Sequence, residues 1–240
     1  MTVFTVTDSV DPFLQVSLRK GEMIYCESDA MVTMSTTLEL KGKMKGGLLS
    51  GIMRTFANGE SLFQQHIEAT GGDGECLLAP TLPGAMKVID IGATQYMVSD
   101  GAFVASTNGV DLKVRTQSLG GAIFGQTGGF FITETSGQGQ MAVSGFGSMS
   151  VVEVEPGKDL IVDNAHVVCW DSRLDYSPGV ATGNGGLFGK LVNSVTSGEG
   201  VVLRFSGRGK VFVCSRNRIA CRKWMQQGIS QGGSGMSLSE

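Results

Sequence analysis

Charge is what this sequence has least of: Asp, Glu, Lys and Arg make up 17% of its 240 residues, against about 25% in an average globular domain. A monomer of this length coats itself in ionised side chains. So thin a coat points to surface covered by other subunits, and a homo-oligomer is expected. The net charge of −3 offers no general attraction for nucleic-acid phosphate. Two histidines and five scattered cysteines (Cys26, Cys76, Cys169, Cys214, Cys221), with no Cys-x-x-Cys pair, argue against a zinc site and against a disulfide framework. All but Cys221 sit in apolar, strand-like runs, where Cys acts as a small hydrophobe. No run approaches the 18 or so apolar residues of a membrane-spanning helix. The N-terminal Met1-Thr-Val-Phe-Thr-Val-Thr-Asp8 lacks the basic start and apolar stretch of a signal peptide. A soluble protein in a reducing, cytoplasmic setting is expected.

Glycine is abundant instead, with 36 residues, about twice the usual share of roughly 7%. Glycine costs backbone entropy on folding and is kept where turns and bulges need positive φ. Between the glycines run alternating Val, Ile, Phe and Thr, the pattern of an all-β protein.

Three anchors recur in one order. The first is a turn, a strand and a second turn, at Gly21–Ala30, Gly92–Gly101 and Gly157–Ala165. The second is an apolar glycine loop: Gly46-Gly-Leu-Leu-Ser-Gly51, Gly120-Gly-Ala-Ile-Phe-Gly125 and Gly185-Gly-Leu-Phe-Gly189. The third is a Gly-x-Gly turn entering a strand, at Gly72–Gly74, Gly137–Gly139 and Gly207–Gly209. Equivalent glycines stand 65 to 74 residues apart. A propeller blade spans only about 40–45 residues. This period suits a module of five or six short strands, marginal on its own, so that the three are expected to share interfaces. Three β-modules are expected, over residues 13–80, 84–147 and 149–216, followed by a short helix at 217–227 and a flexible tail at 228–240. Strand alternation is visible in Val152 and Val154 facing one way with Glu153 and Glu155 facing the other. Asn217 is the expected helix N-cap.

The glycine loops do not read as phosphate sites. Around Gly189-Lys190 the P-loop positions hold Asn184 and Leu191, and Phe188 replaces the third glycine of a dinucleotide fingerprint. Their apolar character is the signal: Leu48, Leu49, Ile52, Met53 and Phe56 answer Ile123 and Phe124, and then Leu187 and Phe188. Loops are ordinarily polar. These nine are the candidate interaction residues, facing neighbouring modules or subunits, or else a membrane or partner protein. No catalytic constellation emerges. Asp73 with Glu75, and Asp159 with Asp163, read as turn carboxylates, and His66 and His166 lack a partner acid or nucleophile. The chain reads as non-enzymatic, with no metal, cofactor or small-molecule ligand. Arg216, Arg218, Arg222 and Lys223 around Trp224 suit either a docked, solvated helix or an acidic lipid or RNA surface.

Three stretches resemble the signatures of the altered-inheritance-of-mitochondria family: Gly46 to Phe63, Leu78-Ala-Pro-Thr-Leu-Pro-Gly84 and Val162-Asp-Asn-Ala-His-Val-Val168. The likeness covers roughly residues 13 to 224. It implies modules folded like the tryptophan RNA-binding attenuation protein, a short double-stranded β-helix. It further implies three modules per chain and a homotrimeric ring of nine. It brings no established catalytic residues and suggests a place beside an inner membrane. The Cys214-Ser-Arg216 ending and the Gly/Ser tail depart from the family pattern. The expected function is a ring-forming scaffold presenting apolar loops to a membrane or protein. The alternative is a small-molecule or RNA binding module of the same fold, which the acidic charge disfavours for RNA.

Overall fold

The computed structural model describes residues 1–42, 65–117, 130–180 and 201–232. Short runs of β-branched and aromatic residues, cut by glycine turns, form strands throughout. Ahead of the first expected module, β1 (Val3–Val6) pairs antiparallel with β2 (Leu14–Leu18). There follow β3 (Met23–Cys26), β4 (Met31–Met34), β5 (Glu39–Gly42), β6 (Gln65–Glu68) and β7 (Gly74–Leu78). The next six are β8 (Met86–Ile91), β9 (Tyr96–Ser99), β10 (Phe103–Thr107), β11 (Val110–Gln117), β12 (Phe130–Gly137) and β13 (Gly139–Ser144). The last six are β14 (Met149–Val154), β15 (Leu160–Asp163), β16 (Val167–Asp171), β17 (Asp175–Val180), β18 (Val201–Ser206) and β19 (Gly209–Cys214). A 3₁₀ turn at Asn164–His166 links β15 to β16, and α1 (Arg218–Gly232) follows the last strand.

One pairing scheme runs through all three groups. In the first, β7 lies between β2 and β4, while β6 lies between β3 and β5. In the second, β13 lies between β8 and β10, and β12 between β9 and β11. In the third, β19 lies between β14 and β16, and β18 between β15 and β17. Even the irregularities coincide, with a register shift between Met31 and Thr33, between Phe103 and Ala105, and between Val167 and Cys169. Such bulges twist a strand and re-aim its side chains. Successive groups are stitched by β3 against β10 and by β9 against β16. The result is two six-stranded sheets, ordered β5-β6-β3-β10-β13-β8 and β11-β12-β9-β16-β19-β14. They are flanked by a β1-β2-β7-β4 sheet and a β15-β18-β17 sheet.

The apolar core crosses the joints between groups. Leu14, Val16, Ile24, Ile67 and Leu78 pack with Met86, Val104, Ala105 and Ala142 from the next group. Trp170, fully buried, stacks edge-on against Tyr176 at 5.0 Å and Phe205 at 5.4 Å between ring centroids. The two joints themselves touch: Ala85 N donates to Gly147 O, and Gly145 N to Ala85 O. Gly84 and Gly147 form a parallel bridge there, both at positive φ, and a Cβ on Gly84 would collide with the backbone of Gly145 and Gly147.

The helix opens where Asn217 predicts it, since Asn217 Oδ1 accepts from Ile219 N and Ala220 N. It runs on to Gly232, past the expected end at residue 227. Gly228 weakens helix propensity without forbidding the conformation, and no proline intervenes. Residues 233–240, the rest of the expected tail, lie outside the described residues.

Candidate interaction surfaces

The nine residues singled out by sequence (Leu48, Leu49, Ile52, Met53, Phe56, Ile123, Phe124, Leu187 and Phe188) lie outside the described residues. What is described is the base from which each of their segments leaves. Each connects two antiparallel partners: β5 to β6, β11 to β12, and β17 to β18. The terminal pairs are Gly42 opposite Gln65, Gln117 opposite Phe130 and Val180 opposite Val201. The three apolar segments therefore depart from equivalent ends of equivalent hairpins. Exposed ion pairs brace the hairpins below, with Lys41 to Glu68 at 2.6 Å, and Arg115 bound to Glu134.

The carboxylates, histidines and buried thiols are occupied structurally. Asp73 accepts from Lys20 N at 2.8 Å, and Glu75 accepts from Ser17 Oγ at 3.1 Å. Asp159 pairs with Arg204, and Asp163 caps the 3₁₀ turn by accepting from Ala165 N. His66 packs edge-on to Tyr25, and His166 Nδ1 bonds Cys214 O at 2.8 Å. Burial pushes the Cys26 thiol up to about 11 and Cys76 up to about 12, and raises Cys169 too. These thiols stay protonated and are poor nucleophiles. Burial would raise Asp171 as well, but hydrogen bonds from Arg173 at 2.6 and 3.0 Å outweigh it and hold the carboxyl below its ordinary value. Among the described residues, no three His, Cys, Asp or Glu side chains gather as metal ligands would.

Two other surfaces stand out. On α1, Trp224 is 74% exposed beside the exposed Arg222 and Lys223. The helix is tied down by Arg218, which donates to Asp100 at 2.8 Å and lies over Gly101, where a Cβ would come within 2.5 Å of the guanidinium. The second surface has no signature in the sequence: the outer edges of β4 and β15 have no strand partner among the described residues, and both are apolar. Nothing local distinguishes these strands from their buried counterparts. Only the pairing topology shows that they are terminal.

No helix among the described residues is long and apolar enough to cross a membrane. The chain is 34% identical over 221 residues to an uncharacterised protein of Streptococcus pyogenes serotype M6, covering 89% of this chain and 86% of that one. It superposes on an X-ray crystal structure of a Streptococcus pyogenes protein with a TM-score of 0.80, at 30% identity, covering 95% of this chain and 99% of that one. The model of the mitochondrial biogenesis AIM24 family matches residues 4–216, from β1 through the end of β19. The chain belongs to the AIM24 family.

Proposed function

We infer that this protein is a non-enzymatic scaffold that assembles with copies of itself into a ring and presents its apolar hairpin segments to a membrane surface. One observation carries the reading: a single six-strand pairing scheme occurs three times, so the three glycine-rich segments leave the fold at equivalent hairpin ends. Repetition of a weakly apolar contact gives avidity that one segment lacks. The sparse charge supports the assembly, because subunit contact removes surface that a monomer would have to solvate. The family likeness implies modules like the tryptophan RNA-binding attenuation protein and three chains per ring, which agrees with the recurring scheme. The structural occupation of the carboxylates, histidines and cysteines supports a role without catalysis.

Co-sedimentation with liposomes tests the membrane contact. The wild-type protein is expected to pellet with vesicles containing anionic lipid, and the Leu187→Ser, Phe188→Ser double variant to pellet several-fold less. Equal behaviour of the two would remove the membrane from the reading.

A further inference from the structure

We propose that α1 is an arm that lays Lys223 and Trp224, with Arg222 beside them, on the anionic headgroups of the same membrane surface that the apolar hairpin segments meet. This adds a second, charge-selective part to the membrane contact inferred above and rests on that reading.

Strand register places the root of the arm. Arg218 donates to Asp100 at 2.8 Å, and Asp100 directly follows Ser99, the last residue of β9. Ser99 faces Ile132, two residues from the Gln117–Phe130 pair at which the second apolar segment leaves its hairpin. The first group meets α1 in the same way. Glu27 follows Cys26, the last residue of β3, and Cys26 faces Gln65, half of the terminal Gly42–Gln65 pair. Arg218 is close enough to Glu27 to favour its ionised form. The helix therefore starts at the end of the sheets from which the first and second apolar segments depart.

Charge and exposure identify the surface it meets. Of the 19 Lys and Arg, four stand between Arg216 and Lys223, and none of the 22 Asp and Glu stands between Arg216 and Gly232. The other residues carry 15 cations against 22 acids, so the basic character belongs to this arm and not to the chain. Arg218 is engaged by Asp100, and Arg216 lies 5.9 Å from the centre of the Phe146 ring. Among the described residues, Arg222 and Lys223 have no acidic partner. From Arg218 to Gln227 only Cys221 is half-buried and every other residue is exposed. An isolated helix of about 15 residues is marginal in water and gains stability from what its apolar side chains pack against. Ala220, Lys223, Trp224 and Gln227 follow the i, i+3, i+4, i+7 spacing, so they share a side turned away from Arg218 and Cys221. Tryptophan settles at the headgroup level, and long basic side chains reach past it to phosphate.

Fluorescence tests this, because Trp170 is 0% exposed and Trp224 is 74% exposed. With the full chain and vesicles of phosphatidylcholine and phosphatidylglycerol, Trp224 emission is expected to shift to the blue and to be quenched by brominated acyl chains. Vesicles of phosphatidylcholine alone should cause neither change, and Trp224→Phe should abolish both. Arg222→Gln with Lys223→Gln should keep the circular dichroism of the wild type and bind anionic vesicles roughly twentyfold more weakly, at about fivefold per cation. Pelleting with vesicles without a change in Trp224 emission, or equally with both compositions, overturns the role of α1 and leaves the apolar segments' contact standing. Failure to pellet with either composition overturns both. A blue shift that follows protein concentration without vesicles, or that needs RNA instead, assigns the arm to another partner and overturns the lipid.

Discussion

Glu27, in the turn after β3, is a carboxyl that its surroundings push toward the neutral form. Burial first, then the Asp100 and Asp29 carboxylates, push its pKa up to about 7, against the opposing pull of Arg218. The folded protein thus holds this proton more tightly than the unfolded chain does. The resulting stability is fully present below the ordinary carboxyl range and is lost as pH rises through about 7. Glu27→Gln should remove that dependence and raise stability at about pH 8 by on the order of 1 kcal/mol, discounted for partial exposure. Urea midpoints of both proteins at about pH 5 and pH 8 check this. Parallel shifts in the two would show that the dependence originates elsewhere.

Among the elements, α1 offers the cleanest local test, because its anchors are few and identified. Asn217→Ala removes the acceptor for Ile219 N and Ala220 N and should cost about 1 kcal/mol of local stability. Tryptic cleavage after Arg222 and Lys223 is then expected to accelerate about fivefold, while Asn217→Asp, also a capping residue, leaves the rate near that of the wild type. This cap was legible in the sequence, as were the strand openings: Gly74, Gly139 and Gly209 each begin the strand expected of them. So was the alternation in β14, where Val154 is buried and Glu153 and Glu155 are exposed. Turn geometry was legible only in part. The left-handed residue is Asp29 in the first copy but Gly101 in the second, because Val98 of β9 stands one residue further from Gly92 than its counterpart Cys26 of β3 stands from Gly21. Aligning Asp29 with Asp100 by residue type is therefore off by one. β1 carries period-two alternation, but belongs to none of the recurring anchors. The pairings were not legible, since partners such as Cys26 and Ala105 are brought together by tertiary contact rather than by local pattern.

At the scale of the molecule, the missing charge is the ground for expecting shared surface, and the topology leaves the apolar β4 and β15 at sheet edges among the described residues. Cores that run across the joints, from Leu14 to Ala142 in one case, make the chain a continuous band rather than three separable beads. We propose that this band closes with further copies of itself into the ring. Light scattering behind size exclusion, over a wide range of protein concentration, tests this account most directly. It predicts one species with a mass near three times the 25.2 kDa of a single chain. A single 25.2 kDa species at every concentration would contradict it.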